Sequence, residues 1–158
     1  MTSDVVYITK ERAKEIEEAI FGLKTKDRKN IAQKIADARS HGDLSENAEY
    51  DAAKEEQGML EMKISKLETM LAKAQIIDPS ELPNDKVYIL SKVKLLNKNS
   101  NIEVEFTMVS DSEADFYNRK ISVSSPLGKS LMGKKIGETA ELNAPAGKIL
   151  YEILDITR

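Results

Sequence analysis

The chain has 158 residues, of which 41% are hydrophobic and 32% charged, with a net charge of −3. It contains no cysteine and one histidine, His41, which excludes disulfides and thiolate metal sites and argues against a histidine-based zinc site. Residues 1–80 carry 13 basic and 16 acidic side chains and residues 81–158 carry 11 of each, so neither half is basic enough to hold nucleic acid by charge alone. No secretory signal or membrane span is predicted, and the lack of cysteine fits a cytoplasmic protein.

The first predicted element is a long helix that begins after Thr9, as its N-cap, and ends near Ser40. Apolar residues recur through it at steps of three and four, as on one face of a helix. One step of eight residues crosses "KTKDRKN" (24–30), which shifts the apolar stripe and is expected to bend the helix. The stripe consists of Ala13, Ile16, Ile20, Leu23, Ile31, Ile35 and Ala38.

A second helix is predicted from Glu46 to about Gln75, with alternating steps of four and three. Its stripe consists of Ala53, Gln57, Leu60, Ile64, Leu67, Leu71 and Ala74. Because only a few residues join the two helices, they are expected to pack as antiparallel neighbours. Each would be roughly 45 Å long, which predicts a two-helix rod over residues 1–75 with an acidic bend at 41–51.

A proline-containing linker is predicted at 76–85, followed by a globular domain at 86–158 in which the apolar period becomes two. Strand patterns occur at 87–95, 102–108 and 149–154, the last with both faces expected to be buried, and 97–101 reads as a hairpin loop. Ser125 and Pro126 are typical of the N-cap and first position of a short helix, which Gly133 would close. The predicted fold class is α+β: a long antiparallel coiled coil followed by a small antiparallel sheet domain with one short helix.

Two motifs carry a resemblance to a known family. "ARSHGDLSENAEYDAAKEEQG" (38–58) resembles the tip motif of bacterial transcript-cleavage factors of the Gre family, closer to the GreA type than to the GreB type. "SVSSPLGKSLMGKKIGE" (122–138) resembles that family's second signature, in its C-terminal domain. The resemblance covers essentially the whole chain.

The resemblance implies an accessory factor rather than an enzyme. Its C-terminal domain would have an FKBP-like fold and dock on RNA polymerase, and its coiled coil would enter the secondary channel. The tip would then stimulate the polymerase's own cleavage of backtracked RNA at the nascent 3′ end. The chain would act as a monomer with no cofactor of its own, the Mg²⁺ belonging to the polymerase active site. The tip residues carried over are the acidic pair Asp43 and Glu46, supported by Leu44, Asn47 and Arg39; Ser125 and Pro126 are docking candidates.

The acidic pair has two interpretations from the residues alone. Phosphodiester hydrolysis favours two metal ions, and Mg²⁺ prefers oxygen ligands, so Asp43 and Glu46 could form half of a metal site that the polymerase completes. Alternatively, the same two residues have the spacing of a capping box at the start of the second helix. Glu49 and Asp51 are interpreted as a solvated face.

A basic cluster on the first helix also has two interpretations. Its members are Lys24, Lys26, Arg28, Lys29 and Lys34. Arg28, Lys29 and Lys34 are candidates for contacts with RNA phosphates. Alternatively, Glu55, Glu56 and Glu61 on the antiparallel helix neutralise the cluster. Gly58, inside the second helix, is expected to pack closely against the first.

Two rival functions remain open from sequence. A channel-plugging inhibitor of the same architecture would bind the polymerase without promoting cleavage, although the intact G-D-L-x-E-N argues against it. A structural coiled-coil adaptor would use the charge of its acidic tip to bind a basic partner, so that carboxylate geometry would not matter.

Overall fold

The computed structural model describes residues 5–42 and 46–158. The chain forms two compact units: a helical unit, Glu11–Lys73, and a sheet unit made of Ala74–Arg158 together with the described part of Met1–Lys10. The predicted α+β class is confirmed. Within the described ranges, no helix combines the length and the hydrophobicity that a membrane-spanning segment requires.

The helical unit is an antiparallel pair. One arm runs without interruption through α1 (Lys10–Gly22), a π-helical turn (Leu23–Asp27) and α2 (Arg28–Arg39), and the other arm is α3 (Ala48–Ala72). Three ion pairs show that the arms run in opposite directions. They join Lys24 to Glu68, Arg28 to Glu61 and Lys34 to Glu56, so the residue number rises along the first arm as it falls along α3. The predicted helical pair is confirmed, and its second helix begins at Ala48 rather than near Glu46.

The π-helical turn accounts for the irregular step in the first stripe. Leu23 and Ile31 are eight residues apart, one more than a heptad, yet both are buried on the same seam. A π-turn is wider than an α-turn and absorbs one extra residue. The extra residue therefore restores the phase of the apolar stripe between the two segments of the first arm.

The core of the helical unit follows the predicted stripes except near the end of α3, where Met70 is buried and the predicted Leu71 is half-buried. Its buried members are Leu23, Ile31, Ile35, Ala53, Leu60 and Ile64. Gln57, the polar member of the second stripe, is half-buried. The prediction for Gly58 is wrong, because this glycine is exposed and a Cβ built on it would meet no atom within 4 Å. Its lack of a side chain serves no packing.

The sheet unit contains a pairing that the sequence analysis did not find. The strands β1 (Val6–Ile8) and β2 (Ala74–Ile76) are parallel neighbours. The backbone N–H of Tyr7 also donates to the Ser110 hydroxyl at 2.9 Å. These contacts place the residues at both ends of the predicted 1–75 rod in the sheet unit. The sequence did not predict this pairing, because three-residue strands show too little alternation of apolar and polar residues. The predicted linker therefore begins inside β2.

The main sheet of the described residues consists of β3 (Lys92–Asn97), β4 (Ile102–Val109), β5 (Lys120–Ser122), β6 (Thr139–Ala144) and β7 (Gly147–Thr157). Their order across the sheet is β5-β4-β3-β7-β6. All the pairings are antiparallel except that of β4 with β5. The hairpin loop predicted at 97–101 is confirmed, since it connects β3 to β4.

The short helix α4 (Pro126–Leu131) is capped as predicted. The Ser125 hydroxyl accepts from the backbone N–H of Gly128 at 3.0 Å, and Pro126 occupies the first turn. Gly133 follows the helix with φ of 79°, a backbone conformation that glycine adopts at little cost. Leu131 is fully buried and joins the core between helix and sheet.

Two strand predictions need correction. Val87 and Ile89 do not continue into β3, because the chain turns between Tyr88 and Ser91 and Leu90 has φ of 69°. The strand predicted at 149–154 lies within β7, but it is not buried on both faces, since Leu150 is 37% exposed. In both places a run of apolar residues suggested a more regular burial than the sheet provides.

Candidate functional site

The predicted tip lies where α2 ends and α3 begins. Gly42, the last described residue on the α2 side, has φ of 104°, which suits glycine at a point where the chain leaves the helix. Glu46, the first described residue on the α3 side, is exposed. Asp43 and Leu44 lie outside the described residues. Of the predicted acidic pair, the structure therefore locates Glu46.

The N-cap of α3 is Asn47. Its backbone is extended, with φ of −92° and ψ of 97°, and its Oδ1 accepts from the backbone N–H of Tyr50 at 3.1 Å. A capping box would require an acidic residue at the third helical position, but Tyr50 stands there and Glu46 precedes the cap. The capping interpretation of Asp43 and Glu46 is therefore wrong for this helix. The backbone N–H of Tyr50 is bonded by Asn47 and not by Glu46.

Asn47 also joins the two arms of the helical unit. Its Nδ2 donates to the backbone carbonyl of Ala38, in the last turn of α2, at 2.6 Å. The orientation of the amide follows from its partners, because a backbone N–H requires an acceptor and a carbonyl requires a donor. Asn47 thus links the start of α3 to the end of α2 through Ala38 and Tyr50, two partners that sequence reasoning missed. Its support of the tip stays a prediction.

Two further contacts connect the arms at this end. The guanidinium carbon of Arg39 lies 5.9 Å from the centre of the Tyr50 ring, a cation–π arrangement. His41 Nε2 lies 3.3 Å from Glu49 Oε2, with both side chains well exposed. Arg39 was predicted to support the tip, whereas Glu49 was expected only to face solvent and His41 had no predicted role. A heptad pattern predicts which residues face the partner helix, but it does not predict contacts between side chains at the ends of the helices.

The described acidic residues do not assemble a metal site by themselves. Within residues 5–42 and 46–158, no group of three or more histidine and carboxylate side chains is placed to hold a metal ion. Glu46 fits a shared site in its chemistry, since an exposed carboxylate offers the oxygen ligands that Mg²⁺ prefers.

Carboxylates on α3 pair with three members of the basic cluster. Arg28 binds Glu61 through two hydrogen bonds of 2.9 Å, and this contact raises the pKa of the guanidinium. Lys34 contacts both carboxylate oxygens of Glu56 at 2.9 and 3.0 Å, and Lys24 lies 3.3 Å from Glu68. The neutralising interpretation is confirmed for Glu56 and Glu61. The third glutamate partner of the basic cluster is Glu68, where Glu55 had been predicted.

Lys29 differs from the other two RNA-contact candidates. It is exposed, and across the described ranges no carboxylate lies within 4 Å of its ammonium group. Arg28 and Lys34 would have to leave glutamate partners to meet a phosphate, whereas Lys29 would not. Contact with RNA stays a prediction for all three.

The docking candidates lie at the N-terminus of α4. Ser125 is half-buried, and its hydroxyl donates to the carbonyl of Ser122 at 2.6 Å besides capping the helix. Pro126 is exposed. Nearby, the Asp111 carboxylate accepts from the hydroxyls of Ser122 and Ser124. These hydrogen bonds lower the pKa of Asp111, the bond from Ser122 having the larger effect. They also hold together the loop from which α4 begins.

An exposed aromatic pair lies in the same loop region of the sheet unit. Phe116 and Tyr117 are 69% and 96% exposed. The Arg119 guanidinium lies 5.9 Å from the ring centres of both Phe116 and the buried Phe106. Sequence reasoning missed this feature, although two adjacent aromatics between polar residues were a visible signal.

Comparisons with known proteins cover nearly the whole chain. Residues 6–76 match the family model "Transcription elongation factor, N-terminal", and residues 82–158 match "Transcription elongation factor, GreA/GreB, C-term". The chain is 51% identical to the transcription elongation factor GreA of Flavobacterium johnsoniae, covering 99% of each protein. It is also 51% identical to the GreA of Chlorobaculum tepidum, covering 98% of each.

Solved structures give a weaker likeness. The GreA factor homolog 1 of Thermus thermophilus is 25% identical over 98% of this chain and 99% of its own, with a TM-score of 0.45. The assignment rests instead on the two family models and on the relatives of about half identity. By these matches, the chain belongs to the GreA/GreB family of transcription elongation factors.

Proposed function

We propose that this protein binds RNA polymerase through its sheet unit and places its helical unit in the polymerase secondary channel. There it stimulates the polymerase's own endonucleolytic cleavage of backtracked nascent RNA, so that arrested complexes can resume synthesis. Family membership supports the general role. The observation that carries the cleavage proposal is Glu46, an exposed carboxylate beside the junction of α2 and α3 that the helix cap does not use.

The acidic residues of this chain act as a partial ligand set. Asp43 and Glu46 would hold Mg²⁺ jointly with carboxylates of the polymerase, and the ion would supply an activated water and stabilise the leaving oxygen. Two carboxylates are too few ligands for tight binding in the free protein. In this proposal the protein remains an accessory factor, because the reacting phosphodiester and most of the ligands belong to the polymerase complex.

Docking is assigned to the surface around the start of α4. Pro126 is exposed there, and Ser125 holds the first turn of the helix in place. The protein acts as a monomer toward one polymerase. Lys29 contacts the displaced RNA near its 3′ end, with Arg28 and Lys34 contributing once their glutamate partners are exchanged for phosphates.

The experiment uses a backtracked elongation complex with RNA labelled at its 5′ end. Addition of the native protein should shorten the labelled RNA and release a 3′ fragment. Asp43→Asn and Glu46→Gln should each remove most of this stimulation, because each change removes a charge and an anionic oxygen. Both variants should still compete with the native protein for the polymerase and melt at nearly the native temperature.

The matched control is Glu49→Gln, which makes the same chemical change three residues further along. Glu49→Gln should stimulate cleavage like the native protein if the position of the carboxylate matters. An adaptor that works through charge would instead lose as much partner binding from Glu49→Gln as from Glu46→Gln. Inhibition of synthesis without any RNA shortening would instead indicate a channel-plugging factor. Native cleavage by both Asp43→Asn and Glu46→Gln would refute the acidic-pair mechanism.

A further inference from the structure

One side chain forms hydrogen bonds to both helix ends beside the acidic segment. Asn47 accepts from the backbone of α3 through Oδ1 and donates to the backbone of α2 through Nδ2. The second bond, to the Ala38 carbonyl, spans nine residues of sequence. Both bonds are half-buried, so water competes with them less than with a contact on the open surface.

Apolar packing also joins the arms here, since Tyr50 packs against the buried cluster of the helical unit, but the other polar contacts at this end are more exposed. The side chains of His41 and Glu49 are 62% and 73% exposed, and an exposed pair of this kind contributes little to holding a geometry. The Arg39 guanidinium lies over the Tyr50 ring without a directional hydrogen bond to it. Among the described residues at this end, the bond from Asn47 to Ala38 is therefore the directional, half-buried hydrogen bond between the arms.

Glu46 depends on this bridge for its placement. It is the residue directly before Asn47, and in the described part of the chain no other side chain forms an ion pair or hydrogen bond with its carboxylate. Its backbone is anchored on the C-terminal side by Asn47, and its own side chain is free to meet a ligand. Loss of the bridge would let the start of α3 shift against α2 and carry Glu46 with it.

We infer that Asn47 is a positioning residue for the proposed cleavage reaction: it holds Glu46 at a fixed place relative to α2 and does not itself touch the reacting atoms. This inference rests on the proposed function. It differs from a capping role, because a cap needs only Oδ1, whereas positioning needs Nδ2 as well.

The two roles can be separated with Asn47→Ser. Serine caps helices about as well as asparagine, and it leaves the charge unchanged, but its side chain is one bond shorter and has no amide to reach Ala38. Asn47→Ala removes both the cap and the bridge. Gln33→Ala is the matched control, because it removes an amide whose hydrogen bond to Asp37, at 2.8 Å, stays within α2.

The measurements are melting temperature, the protein concentration that gives half-maximal cleavage, and the maximal cleavage rate. Asn47→Ser should melt close to the native temperature and reach half-maximal cleavage at the native concentration. Its maximal rate should fall at least about tenfold, because a displacement near 1 Å from the productive geometry can cost on the order of a hundredfold. Asn47→Ala should lose rate and also melt lower, and Gln33→Ala should match the native protein in all three.

A native maximal rate for Asn47→Ser would overturn the inference, since the cap alone would then suffice. So would a defect that disappears at saturating protein, which would assign Asn47 to docking. If the native protein itself gave no cleavage, the proposed function would fail, and the inference would fail with it.

Discussion

The two units hold their functional residues in different ways. The helical unit has a cluster of buried residues along one seam, and its candidate site lies beyond the end of that seam. The sheet unit has a buried cluster to which α4 contributes Leu131, and its docking candidates are part of the turn that starts α4. Changes at the proposed acidic tip are therefore expected to have little effect on folding, whereas changes at the proposed docking surface should affect the fold that presents it.

The sharpest way to test this contrast is Gly128→Ala in the sheet unit. A Cβ at Gly128 would lie 1.9 Å from the backbone carbonyl oxygen of Ser122 and 2.9 Å from the Ser125 hydroxyl. Because backbone cannot yield as a flexible side chain does, we expect a loss of about 3 kcal/mol, at the top of the range for overpacking. Denaturant melts should show the loss, and competition for the polymerase should weaken with it. Native stability for this variant would contradict the close approach.

Gly58→Ala in the helical unit is expected to change stability in the opposite direction from Gly128→Ala. Gly58 is exposed inside α3 with open space around it, and alanine has the higher helix propensity. The change should stabilise the helical unit by about 1 kcal/mol. Helical circular dichroism during thermal melting measures it, and RNA cleavage should stay at the native level. Destabilisation would mean that the glycine serves a contact absent from this structure.

The smallest effect concerns acid sensitivity of the sheet unit. Hydrogen bonds from Ser122 and Ser124 lower the pKa of Asp111, so the ionised form is favoured in the folded state. The stability that this carboxylate contributes is present above its unfolded pKa and is lost as the pH falls through its lower folded pKa. Asp111→Asn should therefore have a slightly lower melting temperature than the native protein at about pH 6, and the difference in melting temperature should shrink at about pH 2.

Tyrosine circular dichroism is a suitable probe for that comparison. Of the five tyrosines, Tyr50 lies in the helical unit and the other four, Tyr7, Tyr88, Tyr117 and Tyr151, lie in the sheet unit. A difference between native and Asp111→Asn that stayed constant across the whole pH range would assign the effect to packing rather than to the carboxylate's charge.

The sequence predicted those elements whose signal is periodic. The stripe from Ala13 to Ala38 and most of the seam of α3 were found because burial repeats with the helical turn. Near the end of α3, however, Met70 is buried where the pattern had placed Leu71. Even the irregular step between Leu23 and Ile31 was visible, although its form as a π-turn was not. The strands β1 and β2 were missed because three residues carry too little pattern, and their partners lie far apart along the chain.

The candidate site was predictable only in part, for a related reason. The motif supplied Glu46 and Asn47, but spacing alone suggested a capping box in which Glu46 would serve the helix. The true cap is Asn47, and the choice between the two depended on where α3 begins. The bond to Ala38 depends on the packing of two helices against each other, which no local pattern encodes.

The parallel pairing of β1 with β2 has a consequence for how such proteins can be recombined. The chain leaves the sheet unit after residue 10 and returns at Ala74, so the whole helical unit is an insertion between two neighbouring strands. A fragment that began near residue 80 would lack both strands and would not represent the intact sheet unit. A cassette swap would instead exchange residues 11–73 for the corresponding helices of a relative while both strands are retained. The fold thus marks the boundaries at which the helical unit of one protein can be joined to the sheet unit of another.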